Sequence, residues 1–392
     1  MKRNILVAAL LWLPSCLLAQ PTIDTLLLQI ARNNPIIKSA GYSADAHKAE
    51  SRVGLTPPNP SVEFGKMPSI KQGGGYKTVY GISQGFEFPT VYLKKAALAK
   101  SNAKLADTDA AIIRQEVMLE AKTTIIELLH ANQMVTVYTE RVTQAQKVNQ
   151  WFETLVQKGE VSVIYLNNSK LRLMHLQTSK REWEATANTL QLKLNWLNGG
   201  TTTSITSISE TTLQAVPTLE SILAKANELD ARICYALVGQ DIAGKELALA
   251  KNQWLPEFEI AFESEESSDE GFRGFKFGLS VPLWGNVGSV KAAKFRVNAA
   301  ESLMQSRRME VENEYLSGYS YAESILAQIN QIKTETEASN NLPLLQKALE
   351  LGSISSIDYY NEVTFLYEVT DKLMELERDY RISIAALTRY EL

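Results

Sequence analysis

The sequence predicts a mainly α-helical protein with four β-strands. It consists of two copies of one strand–strand–helix–helix unit. Two long stretches are almost free of helix-breaking residues. Residues 90–158 contain no glycine or proline, and residues 289–351 are interrupted only by Gly318 and Pro343. Ahead of each stretch lie two short segments in which apolar residues alternate with polar or small ones, a pattern typical of strands. Because the order is the same in both halves, a duplicated unit is expected rather than a solenoid of short repeats.

Composition excludes several classes of protein. Of the 392 residues, 45% are hydrophobic and 21% are charged, which is typical of a folded chain. Forty Lys and Arg against 44 Asp and Glu give a net charge of −4. With no basic face, nucleic acid is not expected as a partner. The only cysteines are Cys16 and Cys234, so a disulfide framework is not expected.

The first residues have the features of a secretory signal peptide. Lys2 and Arg3 precede a short apolar core, and a small residue, Ala19, marks the predicted cleavage site, so residues 1–19 are assigned to the leader. A second interpretation stays open, because "LPSC" loosely resembles a lipoprotein cleavage site that would leave Cys16 lipidated. No other apolar run approaches the ~20 residues of a membrane helix. An exported protein without a transmembrane helix is therefore expected.

The mature chain divides into two structural repeats. We assign residues 20–200 to the first, 201–217 to a linker and 218–392 to the second. The strands are expected near four segments, two in each repeat: 61–67, 76–88, 257–264 and 271–283.

Each long helical stretch ends in a glycine turn followed by a serine. The turns are "KGEVSVIYL" and "LGSISSIDYY", and aligning Gly159 with Gly352 also matches Ser162 with Ser355. Glycine allows a sharp chain reversal, and serine can cap the helix that follows. A pair of antiparallel helices is therefore expected on either side of each turn.

The strands are long enough to cross a membrane. Residues 275–283 place Phe, Phe, Leu, Val and Leu at alternate positions, and ~9–11 residues suffice for a tilted crossing. From alternation alone, the same strands could form a small soluble sheet packed on a helix. The intervening positions include Lys77, Glu259 and Lys276, which suit a water-filled lumen. Four strands cannot close a barrel, so strands in lipid would require several chains: two for eight strands or three for twelve.

In these features the whole mature chain resembles the TolC-type outer membrane efflux proteins. The resemblance rests on the duplicated plan, on the two glycine turns and on three motifs: "NNP" at 33–35, "PNPSVEF" at 58–64 and "LPEFEI" at 255–260.

That resemblance implies a homotrimer in the outer membrane of a Gram-negative bacterium. Three protomers would share a 12-stranded β-barrel, continued into the periplasm by an α-helical barrel. It would be a passive exit duct of a tripartite efflux or type I secretion system, without catalysis or cofactor. Its partners would be a periplasmic adaptor and an inner-membrane pump of the RND type, and its cargo would be metal cations or drugs. The compact chain favours the heavy-metal cation subgroup. The alternative is a soluble periplasmic helical-hairpin adaptor or scaffold.

The resemblance also implies two sets of site residues. Eight turn residues would dock the adaptor, although each could equally be only a turn or cap residue: Gly159, Glu160, Val161, Ser162, Gly352, Ser353, Ile354 and Ser355. Family members often ring the closed aperture with aspartates after the second turn. Asp358 matches the first of these, and Asn361 stands where a second acid is common, so the predicted acidic gate is reduced.

Little else in the sequence indicates chemistry. The histidines His47, His130 and His175 lie far apart without metal-ligand spacing and are expected on helix surfaces. Nucleophile, phosphate-binding and paired-carboxylate motifs are not found. The sequence therefore predicts neither an enzyme nor a metal site.

Overall fold

The structure is a computed structural model that describes residues 22–70, 75–203, 213–267, 270–338 and 341–392. The predicted signal peptide and Cys16 lie outside the described residues, as does part of the predicted linker. The signal peptide, the lipidation of Cys16 and the linker therefore stay predictions.

The described chain follows one plan twice. The first half contains, in order, α1 (Ile23–Asn33), α2 (Pro35–Glu50), β1 (Ser61–Pro68), β2 (Tyr76–Phe86), α3 (Pro89–Gln157) and α4 (Val163–Leu197). The second half contains α5 (Leu219–Leu229), α6 (Ala231–Asn252), β3 (Glu257–Glu266), β4 (Gly271–Ser280), α7 (Ser289–Ala338), α8 (Leu342–Glu350), α9 (Ser356–Leu387) and a 3₁₀ turn (Arg389–Glu391).

Matching caps begin the equivalent helices of the two halves. Thr22 caps α1 and Thr218 caps α5, each accepting a hydrogen bond from a first-turn amide. Asn34 caps α2 and Asp230 caps α6 in the same way. The two threonines are separated by the same number of residues as Asn34 and Asp230. Helix α1 therefore corresponds to α5, and α2 corresponds to α6. Such side-chain oxygens bond amides that the helix itself leaves unpaired.

The strands end earlier than the alternation predicts in two cases. The strands expected near 76–88 and 271–283 end at Phe86 and Ser280. In each case a proline follows shortly, Pro89 as the first residue of α3 and Pro282 after β4. Proline has no amide hydrogen to continue the ladder, so pairing ends before it. The strands expected near 61–67 and 257–264 are present and slightly longer.

The long helices differ between the halves. Helix α3 runs unbroken for 69 residues, which at 1.5 Å per residue is about 100 Å. The equivalent stretch of the second half is divided into α7 and α8. Helix α8 begins at Leu342, just before Pro343, where an interruption was expected. The long helix expected from Ser289 onward is present, and Gly318 does not break it. Gly318 is instead a contact point: a Cβ there would lie 3.3 Å from Cδ2 of Leu387 in α9.

Replacing Gly318 with valine should therefore lower the melting temperature of the purified protein. The added methyls would overlap Leu387, and overpacking of this kind costs about 1–3 kcal/mol. The matched control is Gly244→Val in α6, where a Cβ meets nothing within 4 Å. Equal melting temperatures for the two variants in thermal unfolding would show that the α7–α9 contact is not tight.

Each half has its own apolar core where its helices meet. In the first, α1, α3 and α4 bury Leu26, Ile125 and Leu194 together. In the second, Ile222 and Ile325 are buried with residues of α9. A third cluster lies at the glycine turns and contains residues of both halves. The turns are therefore held against each other within one chain.

Candidate membrane sheet and helix tips

The four strands form an antiparallel sheet in the order β1–β2–β3–β4, and one of its faces is apolar and uncovered. Cross-strand pairs such as Val62–Ile82, Ile82–Phe262 and Phe262–Phe275 place these side chains on the same face. Each of these four side chains keeps between 38% and 78% of its surface exposed. The face consists mainly of Val62, Phe64, Tyr80, Ile82, Phe258, Ile260, Phe262, Phe275, Phe277 and Leu279. A soluble sheet packed on a helix is therefore not what the chain forms.

The opposite face is polar and lined by glycine. Glu259 lies between Gly85 and Gly278 on the neighbouring strands. A Cβ at Gly278 would approach the Glu259 Cβ to 3.3 Å, so glycine leaves room for the carboxylate. On the same face, Lys77 Nζ contacts Glu265 Oε2 at 2.7 Å. This face therefore suits water.

Within the residues that the structure describes, the sheet has two open edges. Strands β1 and β4 each pair on one side only, with β2 and β3 respectively. An open strand edge presents unpaired amide and carbonyl groups, which lipid does not tolerate. The edges must therefore be closed by something outside this chain if the apolar face is in lipid.

Both helix tips turn by the same hydrogen-bonded motif. At Gly159, with φ +73°, the amide of Glu160 donates to the carbonyl oxygen of Leu155 at 2.9 Å. At Gly352, with φ +68°, the next amide makes the equivalent bond to Ala348 at 2.8 Å. The left-handed conformation that ends each helix favours glycine. The predicted chain reversals are thus present at both positions.

The predicted caps are also present. Ser162 Oγ accepts a hydrogen bond from the Ile164 amide at 3.3 Å. Ser355 Oγ accepts one from the Asp358 amide at 3.1 Å. A structural role therefore accounts for both serines, and their predicted contact with an adaptor stays a prediction.

The eight predicted tip residues divide by exposure. Val161 and Ile354 are half-buried and pack against the cluster that contains Phe152 and Tyr359. The other six are exposed: Gly159, Glu160, Ser162, Gly352, Ser353 and Ser355. Val161 and Ile354 thus anchor the tips, and the six others form their surface.

Sequence reasoning missed exposed apolar residues beside the tips. Val163 and Ile164 follow the first tip and are 54% and 62% exposed, and Ile357 follows the second and is 58% exposed. Leu351 precedes the second glycine and is 71% exposed. Ile164 and Ile357 each lie two residues after the capping serine, which is the pattern that could have revealed them. Apolar side chains exposed together suit contact with another protein.

Asp358 is the third residue of α9 and has a structural partner. The Ser355 hydroxyl donates to Asp358 Oδ2 at 2.6 Å. A carboxylate in the first turn also interacts favourably with the positive end of the helix. Asp358 and Asn361 are both exposed, close to the second tip. Their role as an aperture gate stays a prediction.

Asp358→Ala is expected to raise passive cation conductance in planar bilayers, because the gate would lose its narrowing side chains. Loss of the cap interaction should cost only about 1 kcal/mol and leave the protein folded. Asp358→Asn is the matched control, since it keeps the size of the side chain and removes the charge. Unchanged conductance in Asp358→Ala would exclude a gate at this position.

Between the sheet and the tips, a group of contacting side chains around Arg141 and Asp371, here called the clamp, joins the two halves of the chain. Arg141 of α3 is 5% exposed and donates to both carboxylate oxygens of Asp371 in α9, at 2.9 Å and 2.6 Å. Tyr138 also donates to Asp371 at 3.1 Å, and the guanidinium lies 4.2 Å from the ring centre of Tyr367. These residues line a cavity of about 180 Å³ between α3, α4 and α9. Bidentate pairs of this kind fix geometry as well as adding energy.

One histidine differs from expectation. His47 and His175 are exposed as predicted, but His130 is only 7% exposed and packs edge-on against Trp183. Burial, with a smaller contribution from the charge of Arg378, lowers the pKa of His130 to about 4. The imidazole of His130 is therefore neutral at pH 7 and packs between helices α3 and α4.

The described residues contain neither a helix that could span a membrane nor a cluster of metal-binding side chains. None of their helices is both long enough and apolar enough to cross a membrane. Within the same residues, no group of three or more His, Cys, Asp or Glu side chains could hold a metal ion.

Comparison with known sequences gives one distant relative. The chain is 24% identical over 187 residues to outer membrane protein TolC of Vibrio cholerae. The match covers 43% of this chain and 42% of that protein, so it spans less than half of the relative's length. No family model matches the chain.

Comparison with solved structures covers nearly the whole chain. CusC, in a study of its folding and transmembrane channel formation, superimposes with a TM-score of 0.81 at 14% identity, over 95% of this chain and 92% of that one. The Campylobacter jejuni CmeC outer membrane channel gives a TM-score of 0.76 at 14% identity, over 94% and 85%. The chain has the TolC-type outer membrane channel fold. The fold expected from the resemblance is thereby confirmed.

The TolC-type fold accounts for the two unusual features of the chain. Because the superpositions cover 95% and 94% of this chain, they take in both its sheet and its long helices. At such low sequence identity, the likeness establishes the fold alone.

Proposed function

We propose that this protein is the protomer of a passive exit duct in the outer membrane of a Gram-negative bacterium. The observation that carries the proposal is the sheet, with an exposed apolar face, a polar face lined by glycine and carboxylates, and two open edges. Lipid would cover the first face and water the second. The alternative of a soluble adaptor or scaffold leaves the apolar face in water.

Three copies close the barrel. Four strands from each give twelve, and pairing β4 of one copy with β1 of the next satisfies every edge. The long helices continue the barrel into the periplasm as a second, α-helical barrel. Helix α3, at about 100 Å, sets the length of this second barrel.

The tips receive a periplasmic adaptor, which connects the duct to an inner-membrane pump. The exposed tip residues, together with Ile164 and Ile357, supply both polar and apolar side chains for contact with another protein. An RND-type pump supplies the energy for export, and the duct is passive. The cargo is metal cations or drugs, and carboxylates such as Glu259 on the water-facing surface favour cations.

Deletion of the gene in the native bacterium tests this function. Loss of an exit duct should lower the minimal inhibitory concentrations of several metal cations or drugs, and the wild-type gene should restore them.

The matched control is an Arg141→Met, Asp371→Leu double variant, which replaces the clamp by apolar residues of similar size and should restore resistance. Unchanged resistance to every metal and drug tested, with secretion also normal, would contradict the proposal.

A further inference from the structure

The two helices that lead away from the sheet begin with an excess of positive charge. Residues 89–106, at the start of α3, contain four lysines and no Asp or Glu. Residues 289–300, at the start of α7, contain Lys291, Lys294 and Arg296 and again no acidic residue. The whole chain has a net charge of −4, so positive charge is concentrated next to the sheet against the overall balance.

One side of α3 continues the polar face of the sheet. Lys95 Nζ contacts the two carboxylate oxygens of Glu87 at 2.7 Å and 2.6 Å. Glu87 lines one cavity together with Gly85 and Glu259, which belong to the polar face. The side of α3 that carries Lys95 therefore lies toward the polar face, and the opposite side of α3 lies toward the apolar face.

Three exposed side chains lie on that opposite side. Lys104 follows Lys95 by nine residues, which is about 2.5 turns of helix and places the two lysines on opposite sides. By the same geometry, Leu93 and Lys100 point about 160° and 140° away from Lys95. Leu93 is 69% exposed, and Lys100 and Lys104 are exposed as well. Leu93 thus extends the apolar face onto α3, and the two lysines follow it.

The two lysines lack an anion of their own. Among the described residues, no carboxylate forms an ion pair with Lys100 or Lys104. Asp241 of the adjacent α6 is close enough to Lys104 to interact with its charge, but its carboxylate is paired with Lys245 at 2.7 Å and accepts from Ser101 at 2.6 Å. An anion that contacts both ammonium groups must therefore come from outside the chain.

The side chains of these lysines lean toward the sheet. In an α-helix each Cα–Cβ bond tilts toward the N-terminus, and the N-terminus of α3 is the end that joins β2. Lys100 follows Leu93 by seven residues, about 10 Å along the helix axis. A lysine side chain extended toward the sheet shortens this distance by several Å and keeps its ammonium group in water. The ammonium group of Lys100 thus reaches the level at which lipid headgroups would border the apolar face.

Two tryptophans mark the same end of the sheet. Trp254 lies between α6 and β3, and Trp284 lies between β4 and α7. They are 39% and 76% exposed. Tryptophan is enriched where a membrane meets water, because its ring is apolar and its N–H group is polar. The basic surface therefore begins where the membrane would end.

We propose that Lys100 and Lys104 bind the phosphate groups of anionic phospholipids in the leaflet on the helix side of the membrane. This rests on the proposed function, in which lipid covers the apolar face of the sheet. Basic side chains directly beside a membrane-embedded segment attract anionic lipids. The cations at the start of α7 add to the positive potential at the same level. The occupant is a lipid because the lysines continue the surface that lipid already covers.

Quenching of tryptophan fluorescence by brominated lipids tests this surface. The protein is reconstituted in phosphatidylcholine vesicles that contain an equal fraction of either brominated phosphatidylglycerol or brominated phosphatidylcholine. Trp254 and Trp284 report the lipid beside the sheet, since the other described tryptophans lie in α3 and α4 away from it. A preference for phosphatidylglycerol of about two- to fivefold is expected, roughly what one lysine near an anionic surface supplies.

The preference should be lost in the double variant Lys100→Gln, Lys104→Gln and should weaken at high salt, which screens exposed charges. The matched control is Lys147→Gln, Lys347→Gln. It removes the same charge from two exposed lysines near the tips, away from the sheet. This control should keep the preference of the wild type.

The outcomes separate this inference from the proposed function. Equal quenching by the two brominated lipids in the wild type would overturn the inference and leave the duct unaffected, because the sheet would still be in lipid. An unchanged preference in the Lys100→Gln, Lys104→Gln variant would likewise overturn it. If neither lipid quenches the wild type, the sheet is not in lipid, and the proposed function fails together with the inference. A preference that only this variant loses supports the lipid-binding surface.

Discussion

Replacing Asp230 with alanine is expected to lower the free energy of unfolding by about 3–5 kcal/mol, the usual effect of breaking a buried ion pair. Asp230 is fully buried, and its two oxygens accept hydrogen bonds from the Arg232 guanidinium at 3.1 Å and 2.9 Å. The Tyr315 hydroxyl donates to it at 3.0 Å, and it also caps α6. Its loss would leave Arg232 and Tyr315 without their shared acceptor. Thermal unfolding of the purified protein measures the effect.

Asp230→Asn is the matched variant, because an asparagine oxygen can still cap α6. It should be destabilised less than Asp230→Ala, since only the charge and one acceptor oxygen are lost. Equal and small losses in both variants, below about 0.5 kcal/mol, would mean that the cluster does not hold α5, α6 and α7 together.

The same cluster predicts how stability depends on pH. Burial by itself would raise the pKa of Asp230, but the hydrogen bonds and charge of Arg232, with a smaller effect of Tyr315, hold that pKa below its ordinary value of 3.8. Because the folded-state pKa is lowered, the contribution is fully present above the unfolded value and is lost as the pH falls through the folded value. Asp230→Asn should therefore lose less stability than the wild type on acidification below pH ~4.

Replacing both tip glycines with valine is expected to abolish export while leaving membrane insertion intact. Gly159 and Gly352 have φ values of +73° and +68°, and a β-branched residue there is strained by about 1–2 kcal/mol or more. The reversal would change shape, and with it the surface proposed to receive the adaptor. Resistance should fall to the level of the deletion strain, with normal amounts of protein in the outer membrane.

Gly54→Val is the matched control for backbone strain. Gly54 has φ +78° with nothing within 4 Å of a Cβ, like both tip glycines, but lies in the turn between α2 and β1. It should carry a similar strain and keep export. Normal export by the tip variant, or equal loss in Gly54→Val, would remove the tips from the account.

Much of the fold was predictable because its signals are local. Alternation located all four strands, and the absence of glycine and proline located α3. Both tip reversals follow from a glycine and a serine at fixed spacing. The local signals do not give the packing role of Gly318, whose missing side chain allows α7 to approach Leu387 in α9.

The clamp and the core histidine could not be predicted because they depend on distant residues. Arg141 and Asp371 lie on different halves, and each by itself resembles an ordinary charged residue on a long helix. His130 is buried because α3 faces both α4 and α9 there, which its neighbours in sequence do not reveal. Likewise, Ile164 and Ile357 are exposed only because each follows a tip.

The central claim is that the sheet of this chain is one third of a barrel in the outer membrane. Fractionation of membranes, followed by SDS electrophoresis of unboiled and boiled samples, tests it most directly. The account predicts an outer membrane protein that migrates at about three times the 43.6 kDa of the chain before boiling and as a monomer afterwards. A monomer in the soluble periplasmic fraction would contradict it.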